Sequence, residues 1–331
     1  MDESKHWILM LGNGAKSFEL ETALLRQEVE AVIELADMAP PLRDGVCCQL
    51  AQKGKVFYSG GGVCWAILPL LVCEAICGKN RHAIPGAAAI EFFFAAGDAF
   101  DDVEDHETED SLVGVYGEEK TLNIAVALLM LSQRAVTRLR EQGVKLSTII
   151  SVMEAMCSGG LRGCAGQHRD LAYELEHNIS PETYLEMIEL KSASLVEMAC
   201  QVGAILATDD PETVSSYGLF GRHLGMAAQL INDVQSIGTA RWSRSDISKK
   251  KKTLPIIFAF NHADEKQRRL LDLVYDPKTV MTPELQRETA KTIIASGGVY
   301  YGLVMAEKYK QLAVKAIKPS ATANSRLLAL F

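Results

Sequence analysis

Apolar residues recur at intervals of three and four through nearly every stretch of this chain, and no run of alternating β-branched residues bounded by turn signals interrupts them. A chain patterned in this way has only helices with which to bury a core, so the fold class is all-α. Three helix starts are spelled out: Ser180-Pro181-Glu182, Asp210-Pro211-Glu212 and Thr282-Pro283-Glu284. Each places a capping side chain before a proline whose missing N–H costs nothing at the first helical position, then an acid near the positive end of the helix dipole. The period predicts helices over roughly 19–37, 61–77, 86–105, 119–141, 146–164, 181–207, 212–238, 253–274 and 283–315. No linker, composition shift or internal repeat marks a border, so residues 19–331 are expected to form a single large helical bundle, with residues 1–18 weakly structured and 317–324 a loop.

With 331 residues, 48% of them hydrophobic, the chain can bury a full-sized core, which excludes disordered and low-complexity classes. Its 34 Lys and Arg against 42 Asp and Glu leave a formal charge of −8, which repels a phosphate backbone and argues against a nucleic-acid partner. The most apolar run, 63–77, contains Pro69 and Glu74, so neither a membrane span nor a signal peptide is expected and the chain is placed in the cytoplasm. Eight cysteines without CxxC spacing are expected to be free buried thiols. Cys73 and Cys77 share a helix face, which leaves a Cys/His metal site as the alternative.

An apolar helix over 87–100 runs into Asp101-Asp102-Val103-Glu104-Asp105-His106-Glu107-Thr108-Glu109-Asp110, seven acids in ten residues. Asp101 and Asp105 are four apart and share a face, with Asp102 beside them and Asp98 one turn earlier. Carboxylates so arranged can hold Mg²⁺, a hard ion that completes its shell with water and substrate phosphate. A solvated acidic helix end would look the same, but this cluster follows Phe92-Phe93-Phe94, a helix patterned for burial.

A second apolar helix ends in Asn232-Asp233-Val234-Gln235-Ser236, which again offers oxygen ligands, four apart, though with less charge. Arg241, Arg244 and the run Lys249 to Lys252 follow, and positive charge there could close over a phosphate-bearing ligand. Lys191 stands in an otherwise apolar stretch as a further cation. An ordinary helix end, a solvated basic loop and a snorkelling lysine are the plainer readings of these three features.

Taken in order, these elements resemble the trans-isoprenyl diphosphate synthase (polyprenyl synthetase) family over roughly residues 50–260. Asp101, Asp102 and Asp105 match its DDxxD motif, Gly166-Gln167-His168-Arg169-Asp170-Leu171 its GQxxDL element, and Lys191-Ser192-Ala193-Ser194-Leu195 its K-T/S-x-x-L stretch. Gln229 precedes the second motif, and Lys251-Lys252-Thr253-Leu254-Pro255 resembles the GKxTLP ending. The departures matter equally. Gly54-Lys55-Val56-Phe57-Tyr58-Ser59 keeps only the Gly and Lys of the GKRxRP loop that serves isopentenyl diphosphate, Phe94 replaces a His, and Glu107, Glu109 and Asp110 stand where an Arg pair is usual. Asn232, Asp233 and Ser236 replace the second DDxxD and resemble the first two members of the NSE triad of class I terpene synthases, whose third would fall at Ala240. The stretch from Asp101 to Ser245-Asp246-Ile247 is also similar to ComQ-type enzymes that prenylate a peptide on tryptophan.

The resemblance implies a class I isoprenoid synthase bundle, a homodimer, and Mg²⁺, three ions, held by Asp101, Asp102, Asp105, Asn232, Asp233 and Ser236 around the diphosphate of an allylic prenyl substrate. Lys191, Arg241, Arg244, Lys250, Lys251, Gln167 and Gln229 would contact that diphosphate, and Phe93, Phe94 and Phe100 would present aromatic faces to the allylic cation. Because Ala95, Ala96 and Gly97 are small, the floor falls as low as Phe93, which favours farnesyl or geranylgeranyl diphosphate over the ten-carbon substrate. With one diphosphate site intact and the second depleted of cations, a terpene synthase acting on a single substrate is the leading expectation. The alternatives are prenyl transfer to a peptide acceptor, chain elongation with isopentenyl diphosphate, and a non-catalytic binder.

Overall fold

The structure, a computed structural model, describes residues 18–60, 64–109, 111–173, 176, 179–238, 245–317 and 325–330. Every regular element among the described residues is helical. All three helix starts form as written: Ser180 Oγ accepts the Thr183 N–H at 3.1 Å, Asp210 Oδ2 that of Thr213 at 3.0 Å, and Thr282 Oγ1 that of Leu285 at 3.2 Å.

Several boundaries depart from the sequence pattern for local reasons. The stretch expected as 253–274 is two helices, Leu254–His262 and Glu265–Tyr275, because Asp264 and Gln267 form a reciprocal capping box that starts a new helix. The stretch expected as 283–315 breaks at Gly297, whose φ of +89° a side chain would resist, into Pro283–Ala295 and Gly298–Ala316. Pro40–Leu50 and Leu112–Tyr116 are helices that the period did not reveal. The helix expected over 146–164 continues to Tyr173, and within the one expected over 61–77 the described residues form a 3₁₀ turn, Trp65–Ile67, followed by Leu68–Cys77.

The chain divides into two compact units. The first comprises the described residues up to Ser158, Met198–Gly218 and the 325–330 tail. Its centre is the Ile84–Glu104 helix, which packs along the Glu118–Arg138 helix and buries Phe92 completely. Burying such a ring is worth roughly 1.5–3 kcal/mol. Two polar ties fix the register: Ser132 Oγ donates to the Ala89 carbonyl at 2.8 Å and Gln49 Nε2 to that of Ala95 at 3.0 Å. The second unit, Gly159–Glu197 with Leu219–Ile317, holds one core around Tyr184, Met226, Leu230 and Leu254 and another around Ile247, Ile256, Leu271 and Ile293.

Three helical stretches, Arg81–Glu104, Glu118–Gln142 and Pro181–Ala207, are long and apolar enough to cross a membrane on length and composition alone, which reading only the longest unbroken apolar run overlooked. In the first, 67% of the apolar window is buried inside the protein, so its apolarity serves the core. All eight cysteines are free, as expected, but only Cys64, Cys73 and Cys200 are buried, and Cys77, Cys157 and Cys164 are exposed.

Candidate functional site

In the first unit the acidic cluster is the end of the Ile84–Glu104 helix. Asp101 and Asp102 lie in its last turn and Asp105 caps it, with the Asp105 N–H donating to the Asp101 carbonyl at 2.8 Å. His106 then takes a left-handed φ of +51° and turns the chain away. No basic residue stands in that last turn, so the carboxylates crowd the negative end of the helix dipole, an arrangement that opposes stability and suits a cation. One and two turns earlier on the faces of Asp101 and Asp102, Phe93, Phe94 and Gly97 are partly buried, as is Phe100, and a Cβ built on Gly97 would meet no atom within 4 Å. The small residue therefore leaves open space beneath the carboxylates.

The loop that keeps only Gly54 and Lys55 folds onto the same helix. The Lys55 ammonium, 9% exposed, lies 2.6 Å from the Asp98 carboxylate, and the Val56 N–H donates to Glu91 Oε1 at 2.6 Å. Burial alone would lower the Lys55 pKa, but Asp98 and Glu91 outweigh it and hold the lysine charged. Burial pushes the Glu91 carboxyl up to about 7 against the opposing pull of Lys55 and the Val56 N–H. Val56 is buried, so this position has no room for the arginine of the family pattern.

In the second unit, Asn232, Asp233 and Ser236 occupy the last turns of the Pro211–Gly238 helix. Tyr184 Oη donates to Asp233 Oδ2 at 2.6 Å, Gln229 Nε2 to Asp233 Oδ1 at 2.9 Å, and Ser192 Oγ to Gln229 Oε1 at 2.9 Å. Beyond the helix, Asp246 lies against Ser236, whose hydroxyl donates to its carboxylate. Burial, and next the neighbouring Asp246 charge, push Asp233 up to about 8 although Tyr184 and Gln229 stabilise its ionised form. Burial also raises Asp246, opposed by Ser236, Lys251 and Lys249.

Lys191 is carried by a π turn, Glu189–Ala193, and donates to Asp170 Oδ2 at 2.6 Å. Such turns widen a helix locally and often accompany function. Two glycines allow it here. A Cβ on Gly166 would overlap the Lys191 backbone, and one on Gly225 would come within 2.7 Å of Ala193 Cα. The glycine of the GQxxDL element therefore serves close backbone approach, while its Asp170 neutralises Lys191 and Gln167 lies half-buried beside it in the chain.

The basic run is not uniform. Lys250, at a φ of +54°, donates to the Asp276 carbonyl at 2.6 Å and the Thr279 carbonyl at 2.8 Å, so its ammonium is committed to the chain itself rather than to an anion. Lys252 donates to the Glu176 carbonyl. Asp170, Tyr184, Met187, Lys250 and Lys251 line a small cleft, which brings Lys251 toward the Lys191 and Asp233 groups. Arg241, Arg244, Asp110 and Ala240 lie outside the described residues. Sequence reasoning did not place Tyr184 or Asp246 in the site. Asp246 has no helical period to announce it, and the Tyr184 hydroxyl reaches Asp233 across 49 residues of chain.

The second cluster fits a hard cation on its own geometry. The Asn232 Oδ1 is buried and has no hydrogen-bond partner among the described residues, an acceptor left open next in the chain to the buried Asp233 carboxylate. A buried amide oxygen without a partner costs about 1–3 kcal/mol, and a metal ion is one partner that would offset it.

Comparisons agree with these features. The family described as Polyprenyl synthetase matches residues 53–292. The chain is 28% identical over 289 residues to a geranylgeranyl diphosphate synthase of Mycobacterium tuberculosis (strain ATCC 25618 / H37Rv), covering 85% of this chain and 81% of that protein. It is 30% identical over 239 residues to the tryptophan prenyltransferase ComQ of Bacillus subtilis (strain 168), covering 70% and 73%. Among solved structures it is similar to a polyprenyl synthase of Caulobacter crescentus CB15 complexed with calcium and isoprenyl diphosphate, with a TM-score of 0.82, 20% identity, and 97% and 95% of the two chains covered. The all-helical fold is thus that of the isoprenoid synthases.

Proposed function

This chain belongs to the polyprenyl synthetase family of isoprenoid-forming enzymes, and from that premise we propose that it transfers the prenyl group of an allylic diphosphate to an acceptor that carries no diphosphate of its own. The observation that carries the choice of acceptor is the Lys55 ammonium, held 2.6 Å from Asp98 in a loop whose neighbours Val56 and Tyr58 are uncharged. A second diphosphate would find little cationic charge in that loop. Of the two named relatives, the tryptophan prenyltransferase supports such an acceptor and the geranylgeranyl diphosphate synthase supports chain elongation; neither is a terpene synthase by name, which favours transfer over a single-substrate reaction. An electron-rich aromatic side chain, such as a peptide tryptophan, meets the requirement.

Each unit carries its own set of oxygen donors for Mg²⁺: Asp101, Asp102 and Asp105 in the first, and Asn232, Asp233 and Ser236 in the second, where Asp246 supplies the carboxylate that the NSE pattern lacks at Ala240; the family resemblance implies three ions in all. Ions held by these residues would offset the charge of the departing diphosphate and so favour ionisation. Tyr184 and Gln229 orient Asp233, and Ser192 orients Gln229. Lys191 exchanges Asp170 for a diphosphate oxygen, and Lys251, Gln167, Arg241 and Arg244 add to that contact. Phe93, Phe94 and Phe100 line the prenyl chain, and the open space at Gly97 admits farnesyl or geranylgeranyl diphosphate. The enzyme works as a homodimer in the cytoplasm, a compartment in which its free thiols stay reduced.

One experiment tests the reading. Purified protein with Mg²⁺ is incubated with farnesyl or geranylgeranyl diphosphate alone, with isopentenyl diphosphate, and with a tryptophan-containing peptide, and products are weighed by mass spectrometry. A prenylated peptide is the expected result. The Lys55 pairing equally fits a terpene synthase, and a hydrocarbon or alcohol from one diphosphate alone would establish that instead. A lengthened diphosphate appearing only with isopentenyl diphosphate would overturn the argument from Lys55.

A further inference from the structure

Away from the oxygen donors, three softer ones converge in the first unit. Cys73 and Cys77, one turn apart on the Leu68–Cys77 helix, hold their Sγ atoms 3.9 Å apart. His82, in the Arg81–Ala83 turn that follows, places Nε2 3.4 Å from Cys73 Sγ, and ligand atoms of all three lie within 4.8 Å of one another. Tetrahedral Zn²⁺, with Zn–S near 2.3 Å and Zn–N near 2.0–2.1 Å, requires edges of about 3.8 Å between sulfurs and about 3.6 Å between sulfur and nitrogen. The two observed edges lie near those values, and the third, between Cys77 and His82, is within 4.8 Å.

The surroundings leave the two thiols available, while His82 has one bond to exchange. Glu74, the carboxylate between them in sequence, is occupied by Asn80 Nδ2 at 3.0 Å and Arg326 Nη1 at 2.7 Å. Among the described residues the Cys77 thiol faces the Lys79 carbonyl at 3.3 Å as well as Cys73, and the His82 Nε2 donates to the Leu206 carbonyl at 3.0 Å, a hydrogen bond that opens when Nε2 offers its lone pair to an ion. Cys73 is buried, His82 half-buried and Cys77 exposed, so an ion has a route in and a fourth position open toward solvent. Gly78, at a φ of +70°, ends the helix and turns the chain so that His82 comes back to the two thiols.

We propose that Cys73, Cys77 and His82 form a site for one Zn²⁺ ion, with water as its fourth ligand. Binding releases the two thiol protons to solvent and draws on a neutral imidazole, so the charge of the ion is balanced by two thiolates. Sulfur donors select a borderline d¹⁰ cation and reject Mg²⁺, which keeps this site chemically separate from the carboxylate clusters. Its consequence is mechanical. The ion ties the end of the Leu68–Cys77 helix to the turn that launches Ile84–Glu104, the helix whose far end carries Asp101, Asp102 and Asp105.

The test uses the full chain, reduced and stripped with EDTA, titrated with Co²⁺ as the probe. A thiolate-to-cobalt charge-transfer band with strong tetrahedral d–d bands is expected, quenched by one equivalent of Zn²⁺ and absent from C77S and H82N. Cobalt on carboxylates gives no sulfur band, so the failure of this proposal is distinct from any failure of the diphosphate reading. A missing sulfur band, or one that persists in both variants, overturns the site. The unmutated chain gives a second readout that does not depend on the variants folding. Alkylation of Cys77 should fall about tenfold with Zn²⁺ at about ten times its Kd. Equal labelling of Cys77 with and without zinc overturns the proposal.

Discussion

Lys55 reaches back to Asp98, one turn before Asp102, and the 2.6 Å pair turns the last cation of the Gly54-Lys55 loop toward the protein itself. The substitution D98N removes the charge that holds it. If that pair is what denies a second diphosphate its cation, D98N should raise isopentenyl-dependent chain elongation over the unsubstituted enzyme by about tenfold, the effect of about 1.4 kcal/mol. The assay is product mass with and without isopentenyl diphosphate. No rise in lengthened product would remove Lys55 from the argument about the acceptor.

The carboxylates that crown the Ile84–Glu104 helix lie at the negative end of its dipole, where the cation proposed for them would offset their charge. D102N should therefore melt slightly higher than the unsubstituted chain in EDTA, by an amount equivalent to about 0.3–1 kcal/mol. It should also lose the rise in Tm that Mg²⁺ with inorganic diphosphate gives the unsubstituted protein. Differential scanning calorimetry under the two conditions reads both effects. A D102N protein that Mg²⁺ and diphosphate still stabilise fully would exclude Asp102 as a ligand.

Glu91 gives the fold a pH dependence of defined sign. Its carboxyl is pushed up to about 7 in the folded chain, chiefly by burial, against an ordinary value near 4.5. Below about pH 4.5 both folded and unfolded chains hold the proton and this contribution is complete. Between there and about pH 7 only the unfolded chain gives the proton up, so stability falls as pH rises, by on the order of 3 kcal/mol in total. Above that window the contribution is flat. E91Q keeps an acceptor for the Val56 N–H and removes the titration, so its urea midpoint should decline less between pH 5 and pH 7 than that of the unsubstituted protein. Parallel declines would mean that other groups carry the dependence.

What the sequence disclosed and what it withheld divide along the range of the interactions involved. The starts at Ser180, Asp210 and Thr282 were legible because a cap, a proline and an acid act within four residues. The Asp101, Asp102 and Asp105 face was legible because helical spacing fixes it. The break at Gly297 was hidden because apolar spacing continues on both sides, and only the backbone, at a φ of +89°, shows that the chain turns there. Lys55 was legible as a surviving cation but not as the partner of Asp98, 43 positions away, and Tyr184 and Asp246 were missed because tertiary folding alone delivers them to Asp233 and Ser236. Lys250 was legible as charge, whereas its commitment to the Asp276 and Thr279 carbonyls follows from a loop conformation no pattern encodes.

The Leu146–Tyr173 helix exposes Leu146, Ile150, Met153, Cys157, Leu161 and Cys164, an apolar row at intervals of three and four along one face. Leu146 and Leu161, 71% and 72% exposed, are large apolar side chains that water penalises, and a row of this length reads as the seam of a helix pair. A second copy of the chain would cover it symmetrically, each row against its twin, as a two-fold interface requires. L161E puts a charge opposite its own copy at such a seam, where like charges repel without any partner to offset them. Light scattering at micromolar concentration should show the mass fall from two chains to one, with helical circular dichroism unchanged because Leu161 contributes little to the core of its own chain. A variant that stays dimeric would place the interface on another face.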